Sequence, residues 1–499
     1  MLYMPTEDKV DPAIEINVTT KSTVLKNEDD ENIEADTIAA IATAHGTGAI
    51  GIIKVSGPRA FQIAEAVFSG KRCITEIKSH TVLHGYIVDP VRQEKVDEVI
   101  LLKMDAPNTY TREDVVEIQC HAGMDVQVSI LRLVIQMGAR PAEPGEFTKR
   151  AFLNGRLDLS QAEAVMDLIR STSEMGTKAA MSQLEGKLSK ALKNNRNKLL
   201  DLIAALNVVV DFPEHEIDEM TVMHTLNSLS EIEEELRKLS DSFRSGRVAR
   251  DGITAAIAGK PNVGKSTLLN QLIGRDRAIV SAIPGTTRDV LEESVNIGGF
   301  SVRFVDTAGI RETSDVIEKI GVEKAIDAIE KADFIIMVFD AKDGIQEEDV
   351  RIFQLVQNSQ NKKTIFLVNK TDLADFERIK ASKAVLSKMA QDERLTIIET
   401  SLKSGDGVEK LEAVIREMFH TKVLLSNNEA IVTNIRHYTL VQKSIDAIQS
   451  AITAVNSGLP IEMPIIDMQD ALSYIGEITG EECLEEIIDR IFSNFCVGK

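Results

Sequence analysis

The segment Gly259-Lys-Pro-Asn-Val-Gly-Lys-Ser266 has the residue types and spacing to hold a nucleoside triphosphate. Gly259 and Gly264 let the backbone curl so that amide N–H groups face phosphate oxygens. Val263, Gly264 and Thr267 would line that cradle, Lys265 would bring a point charge to the outer phosphates, and the Ser266 hydroxyl would reach magnesium. Downstream, Thr286 and Thr287 open Thr286-Thr-Arg-Asp289, where a threonine can complete magnesium coordination and sense the terminal phosphate. In Asp306, Thr307, Ala308 and Gly309 the aspartate can hold magnesium through water, and the glycine can offer an amide to the γ-phosphate. Asn369, Lys370 and Asp372 would read the base, and Ser401, Leu402 and Lys403 would complete its pocket. The Asp372 carboxylate can accept from the ring N–H and the exocyclic amine of guanine. Adenine lacks that donor pair and would leave the carboxylate unpaired, at about 1–3 kcal/mol or more. The expected ligand is GTP.

Ile310 follows the Asp-x-x-Gly element, where many regulatory GTPases place a glutamine. An apolar side chain cannot orient water. Glu318 and Arg311 are candidates for that task, with a solvated surface charge the competing reading of either.

The loops need strands and helices to hold them. Apolar runs at Thr254–Ala258, Val302–Val305, Phe334–Phe339, Thr364–Val368 and Leu395–Ile398 are each followed by a loop, and most then by a helix-like stretch. That alternation predicts a mostly parallel, doubly wound α/β sheet over residues 251–420, and the nucleotide motifs on its loops make it a Ras-like P-loop GTPase domain. From Ser160 to about Val209, apolar residues recur at three and four spacings, and a further helix is expected over Ser228–Phe243. Ser160 and Glu163 suggest a capping box at the start of this region. Residues 157–250 and 421–499 read as two parts of one helical-bundle domain, with the α/β domain inserted between them. Residues 36–156 read as α+β, with strands expected at Ile50–Val55, Glu98–Lys103 and Val115–Gln119, and helices at Arg59–Phe68 and Asp125–Met137. Residues 1–35 are polar and aperiodic, so a disordered tail is expected.

At 499 residues the chain is too long for one core. It contains no apolar run of membrane-spanning length and no secretory or transit signal, so a cytoplasmic protein without membrane contact is expected. The net charge of −21 argues against a surface that wraps nucleic acid by itself. A partner carrying most of such contact fits the charge better. Cys73, Cys120, Cys483 and Cys496 have no zinc or redox spacing, so reduced thiols are expected.

With these elements in hand, the sequence resembles the MnmE (TrmE) family of bacterial tRNA-modification GTPases from about Asp36 to Lys499. Beyond the GTPase motifs, the resemblance rests on His45–Gly51, Tyr110–Glu117, Arg140–Phe147, Phe152–Glu163 and the terminal Cys496-Val-Gly-Lys499. It implies a homodimer with an amino-terminal folate-binding domain similar to aminomethyltransferases. It also implies a flavoprotein partner, MnmG, which carries FAD and shares the tRNA binding. Together they would install an aminomethyl or carboxymethylaminomethyl group at carbon 5 of the wobble uridine, with the one-carbon unit from 5-formyl- or methylenetetrahydrofolate. GTP hydrolysis would drive dimerisation of the GTPase domains and conformational change. The resemblance also places Ser281, Ala282, Ile283, Pro284, Gly285 and Thr286 along the GTP site. Asn262, Ser281, Ile283 and Thr286 would be potassium ligands, and Glu318 the water-orienting carboxylate. Lys54, Glu117, Arg156 and Lys499 would bind folate, each with an ordinary surface ion pair as its alternative. Cys496 is either a thiol in the uridine chemistry or a site-lining side chain. Two competing readings are a ribosome-assembly GTP switch without base chemistry, and a freestanding folate enzyme fused to a GTPase.

Overall fold

The structure, a computed structural model, describes residues 36–44, 46, 48–211, 219–275, 294–306, 328–358, 362–390, 396–419 and 429–498. These form two compact units. One holds the described residues up to Ile41 with Gly48–Thr109 and Glu113–Pro141; the other holds the short stretch after Ile41, Tyr110–Arg112, and the described residues from Ala142 onward.

In the first unit β1 (Ile38–Ile41), β2 (Ile50–Ser56), β3 (Phe68–Gly70), β4 (Thr81–Val88), β5 (Lys95–Met104), β6 (Val115–His121) and β7 (Arg140–Pro141) form one sheet in the order β3-β4-β5-β6-β2-β1-β7. Alternation sorts its faces. Ile53, Val55, Val116 and Ile118 pack beneath α1 (Ala60–Val67) and α2 (Met124–Gln136), against Ile63, Ile130 and Val134. Ile50, Val82 and Ile100 are exposed. The strands and helices expected in this region all form, with ends shifted by a few residues.

The second unit combines helices with an α/β sheet. Leu192, Leu199 and Leu206 of α6 (Lys187–Asp211) share one core with Leu229, Ile232 and Leu236 of α7 (Glu219–Asp251). Val441, Ile445 and Ile448 of α12 (Ile435–Asn456), with Met468, Ala471 and Ile475 of α13 (Glu462–Thr479), complete it. Helices from both flanks of the α/β segment therefore form a single bundle.

The expected capping box at Ser160 and Glu163 is corrected by the structure. Asp158 caps α4 (Leu159–Arg170), accepting the Gln161 N–H at 2.9 Å, while the Gln161 side chain accepts the Asp158 N–H at 3.0 Å. Asp158 lies one residue before the helix, where the first orphan N–H groups point; Ser160 is already inside it and fully buried. The continuous helical pattern from Ser160 to Val209 also divides, into α4, α5 (Glu174–Leu184) and α6.

The α/β sheet runs β13-β12-β11-β8-β10-β9, built from β8 (Ile253–Ala258), β9 (Ser294–Ile297), β10 (Phe300–Asp306), β11 (Phe334–Asp340), β12 (Lys363–Asn369) and β13 (Thr396–Glu399). All its pairs are parallel except β9 with β10. Every residue of β11 is buried, as a strand covered on both faces requires. Phe334, Ile336 and Val338 pack with Leu268 and Leu272 of α8 (Lys265–Arg275) and with Leu411 and Ile415 of α11 (Val408–Phe419). Ile335, Met337 and Phe339 face Phe353 of α9 (Glu347–Asn358) and Leu386 of α10 (Phe376–Ala390). Among the described residues no helix is long and apolar enough to cross a membrane.

Candidate functional site

Parallel strands place their carboxyl ends on one edge, where ligands of doubly wound sheets bind. Central strand β8 delivers Gly259, and the loop it opens returns as α8 at Lys265. Two glycines are required by the packing. Gly259 has φ +144°, and a Cβ there would stand 2.4 Å from the Val338 carbonyl; Gly264 has φ +113°, and a Cβ would stand 2.3 Å from Asn369 Nδ2. Asn262 holds a left-handed φ of +61°, and its side chain is exposed. Ser266 and Thr267 are also exposed, at the amino-terminal turn of α8, where free amides favour an anion. Lys265 donates from Nζ to the carbonyls of Gly259 at 2.6 Å and Lys260 at 2.7 Å, which folds its ammonium over the loop.

The loop expected to read the base is tied to this cradle. Asn369, 3% exposed, donates from Nδ2 to the Val263 carbonyl at 2.7 Å and accepts the Leu402 N–H on Oδ1 at 3.0 Å. Asp372 accepts from Ser401 Oγ at 2.8 Å, which orients its carboxylate. Lys370, at φ +63°, reaches the Asp340 carboxylate at 2.6 Å. Lys403 is exposed on the turn after Ser401 and Leu402. Asp306 ends β10 in register with Ile257 of β8, so its backbone lies beside the phosphate loop.

The structure thus brings together Asn262, Val263, Gly264, Lys265, Ser266, Thr267, Asn369, Lys370, Asp372, Ser401, Leu402 and Lys403. Ser281, Ala282, Ile283, Pro284, Gly285, Thr286, Thr287, Thr307, Ala308, Gly309, Arg311, Glu318 and Lys499 lie outside the described residues. Among the described residues no cluster of three or more His, Cys, Asp or Glu is arranged for a metal. An exposed hydroxyl beside a phosphate cradle is the donor type that suits magnesium shared with a nucleotide, so Ser266 fits that ion.

In the first unit Lys54 and Glu117 are direct cross-strand partners on β2 and β6, their charged atoms 3.9 Å apart and both side chains largely covered. Arg156 belongs to the second unit. Its guanidinium lies 4.6 Å from the centre of the Tyr110 ring, and Nη1 donates to the Tyr110 carbonyl at 3.0 Å. Tyr110 Oη in turn shares a hydrogen bond with buried Thr148. All four cysteines are free. Cys496 is exposed, and its carbonyl accepts the Gly145 N–H. Burial pushes the Cys120 thiol up to about 11.

Two charged pairings do not follow from the motifs that contain their members. Lys260, inside the phosphate loop, pairs with Asp349 at 2.8 Å. Glu163 accepts from Arg436 Nη2 at 2.8 Å and pairs with fully buried His437 at 2.5 Å. Helix periodicity places Glu163 and Asp167 four apart on α4, one turn from each other. Nothing local names their partners.

A doubly wound parallel sheet with a phosphate loop after its central strand, and an Asn-Lys-x-Asp loop beside it, defines a P-loop GTPase. Residues 159–496 match the family described as the MnmE helical domain, and residues 37–156 match the GTP-binding protein TrmE N-terminus. The tRNA modification GTPase MnmE of Acetivibrio thermocellus is 51% identical over 464 residues, covering 93% of this chain and 99% of that protein. Those of Alkaliphilus oremlandii (45%; 93% and 99% covered) and Staphylococcus aureus (43%; 94% and 100%) are similar over the same extent. The chain belongs to the MnmE (TrmE) family.

Proposed function

We propose that this GTPase acts in tRNA modification. In this reading it works as a homodimer with the flavoprotein MnmG to install an aminomethyl-type group at carbon 5 of the wobble uridine, in the cytoplasm, with a folate as one-carbon donor. The observation that carries the reading is similarity to tRNA modification GTPases along both units, not in the GTPase segment alone. A ribosome-assembly switch would need only the latter.

In the hydrolytic step Asp372, oriented by Ser401, accepts the guanine donors. The amides of the Asn262–Thr267 loop and the Lys265 ammonium receive the phosphates. Ser266 and Thr287 would hold magnesium, with Asp306 acting through water. Asn262, Ser281, Ile283 and Thr286 would hold potassium. When bound, these cations would supply positive charge to offset the negative charge that develops on the phosphate oxygens. Glu318 would orient the attacking water. The remaining residues of the Ser281–Thr287 and Asp306–Gly309 segments would also bind the nucleotide.

Lys54, Glu117, Arg156 and Lys499 would serve the folate. Opposite charges suit the donor edge of a pterin and the carboxylates of a glutamate tail. The charge of −21 supports leaving most tRNA contact to the partner.

The test is mass spectrometry of tRNA nucleosides from cells lacking the gene and from cells in which it is restored. Loss of a modified wobble uridine that returns with the gene is expected. An unchanged nucleoside profile removes the modification role and turns attention to ribosome profiles.

A further inference from the structure

Lys260 occupies a loop built to receive polyphosphate, yet its ammonium points away from solvent. The residue is 6% exposed, and Nζ meets Asp349 Oδ2 at 2.8 Å and Gln346 Oε1 at 3.1 Å. Asp349 lies in the first turn of α9 and is 1% exposed. The same Oδ2 accepts the Gln346 N–H at 2.9 Å, while Oδ1 is buried without a hydrogen-bond partner among the described residues. A buried carboxylate therefore stands behind the phosphate loop, with Lys260 as the cation that meets it. The backbone carbonyl of Lys260 receives Lys265 Nζ at 2.7 Å. One residue thus anchors the loop to α9 through its side chain and docks the phosphate-binding lysine through its backbone.

We propose that Lys260 is a positioning residue for polyphosphate binding: its ion pair with Asp349 fastens the Gly259–Lys260 turn to α9 and neutralises a carboxylate that would otherwise repel the phosphates. Two consequences separate this role from simple packing. Loss of the cation alone leaves an uncompensated buried negative charge, the costly half of a broken pair. Removing the carboxylate as well takes the repulsion away. The penalty also grows with the number of phosphates, because the base is held elsewhere, by Asn369, Asp372 and Ser401.

The experiment is equilibrium binding of GDP and of GMP, with magnesium, to the full chain and to Lys260→Gln, Lys260→Arg, Asp349→Asn and the Lys260→Gln/Asp349→Asn double variant. Glutamine keeps an N–H donor beside Asp349, so the single variant retains a hydrogen bond that supports folding. The expected result is a GDP dissociation constant about tenfold or more higher in Lys260→Gln. Its GMP constant stays within about threefold, and Lys260→Arg and the double variant return GDP binding to within about threefold of the parent. Equal losses for GMP and GDP would overturn the proposal, as would a double variant no better than Lys260→Gln or a Lys260→Gln that binds GDP like the parent. Should Lys260→Gln not fold, Asp349→Asn decides: with the carboxylate removed and the Lys260 charge kept, GDP binding tighter than the parent's with the GMP constant within about threefold supports the proposal, and GDP binding unchanged or weaker overturns it.

Discussion

The Asn369 side chain donates to the carbonyl of Val263, 106 positions earlier, at 2.7 Å, while its own carbonyl oxygen takes the Leu402 N–H. One buried amide thereby sets the spacing between phosphate cradle and base pocket. Replacing it with alanine strands the Val263 carbonyl and the Leu402 N–H, at about 1–3 kcal/mol for a buried unsatisfied group. Asn369→Ala should therefore weaken GDP and GTP by about tenfold or more, read by titration with a fluorescent GDP.

Base selectivity should rest on Asp372 in the same loop. Asp372→Asn presents an amide donor to the guanine N–H and should lower GTP affinity by about two orders of magnitude. The asparagine matches the acceptor edge of xanthine, so xanthosine triphosphate should bind and be hydrolysed in its place. Competition between the two nucleotides measures it, and retained preference for GTP would remove Asp372 from the base-reading role.

Hydrolysis itself should depend on Glu318. Glu318→Ala is expected to keep GTP binding, lose about 10²-fold or more in kcat, and lose tRNA modification in parallel. Turnover at the parental rate would sink that assignment. Potassium replaced by sodium should depress kcat in the parent and have little further effect in Asn262→Ala.

Stability at low pH should report Glu163. Burial alone would raise its carboxyl, but His437 and then Arg436 outweigh it and hold the group at about 2, against 4.5 for the unperturbed side chain. A depressed carboxyl contributes stability that is complete above about pH 4.5 and lost as pH falls toward 2, a difference on the order of 3 kcal/mol. Glu163→Gln should lower the denaturation midpoint at pH 7 and flatten the profile between pH 4.5 and 2. A variant with the same steep acid limb as the parent would show that other carboxylates dominate there.

The thiols should separate by reactivity. Cys496 and Cys73 are both exposed, but Glu76 and Glu65 raise the Cys73 thiol, and burial holds Cys120 at about 11. Timed alkylation at pH 7.5, read by peptide mass spectrometry, should modify Cys496 first, Cys73 more slowly, and Cys120 only on unfolding. Early labelling of Cys120 would contradict its burial.

The sequence alone determined the GTPase motifs and the strands that carry them, because both are local. A phosphate loop holds its own amides and glycines within eight consecutive residues, and a strand covered on both faces must be apolar throughout, as Phe334–Phe339 is. The amphipathic spacing of α6 was legible for the same reason, whereas the helix expected over Ser228–Phe243 extends to Glu219–Asp251 as α7. Only the tertiary structure decided which side chains meet. Lys260 reads as an ordinary loop lysine until α9 brings Asp349 against it. Glu163 reads as a helix-capping residue until folding sets it beside Arg436 and His437, more than 270 positions later. The cap itself moved to Asp158, since a helix start is set by where backbone N–H groups lose their partners and not by apolar periodicity. Charge pairs between distant segments have no period and no spacing. Their energy exists only after the chain has buried both members together.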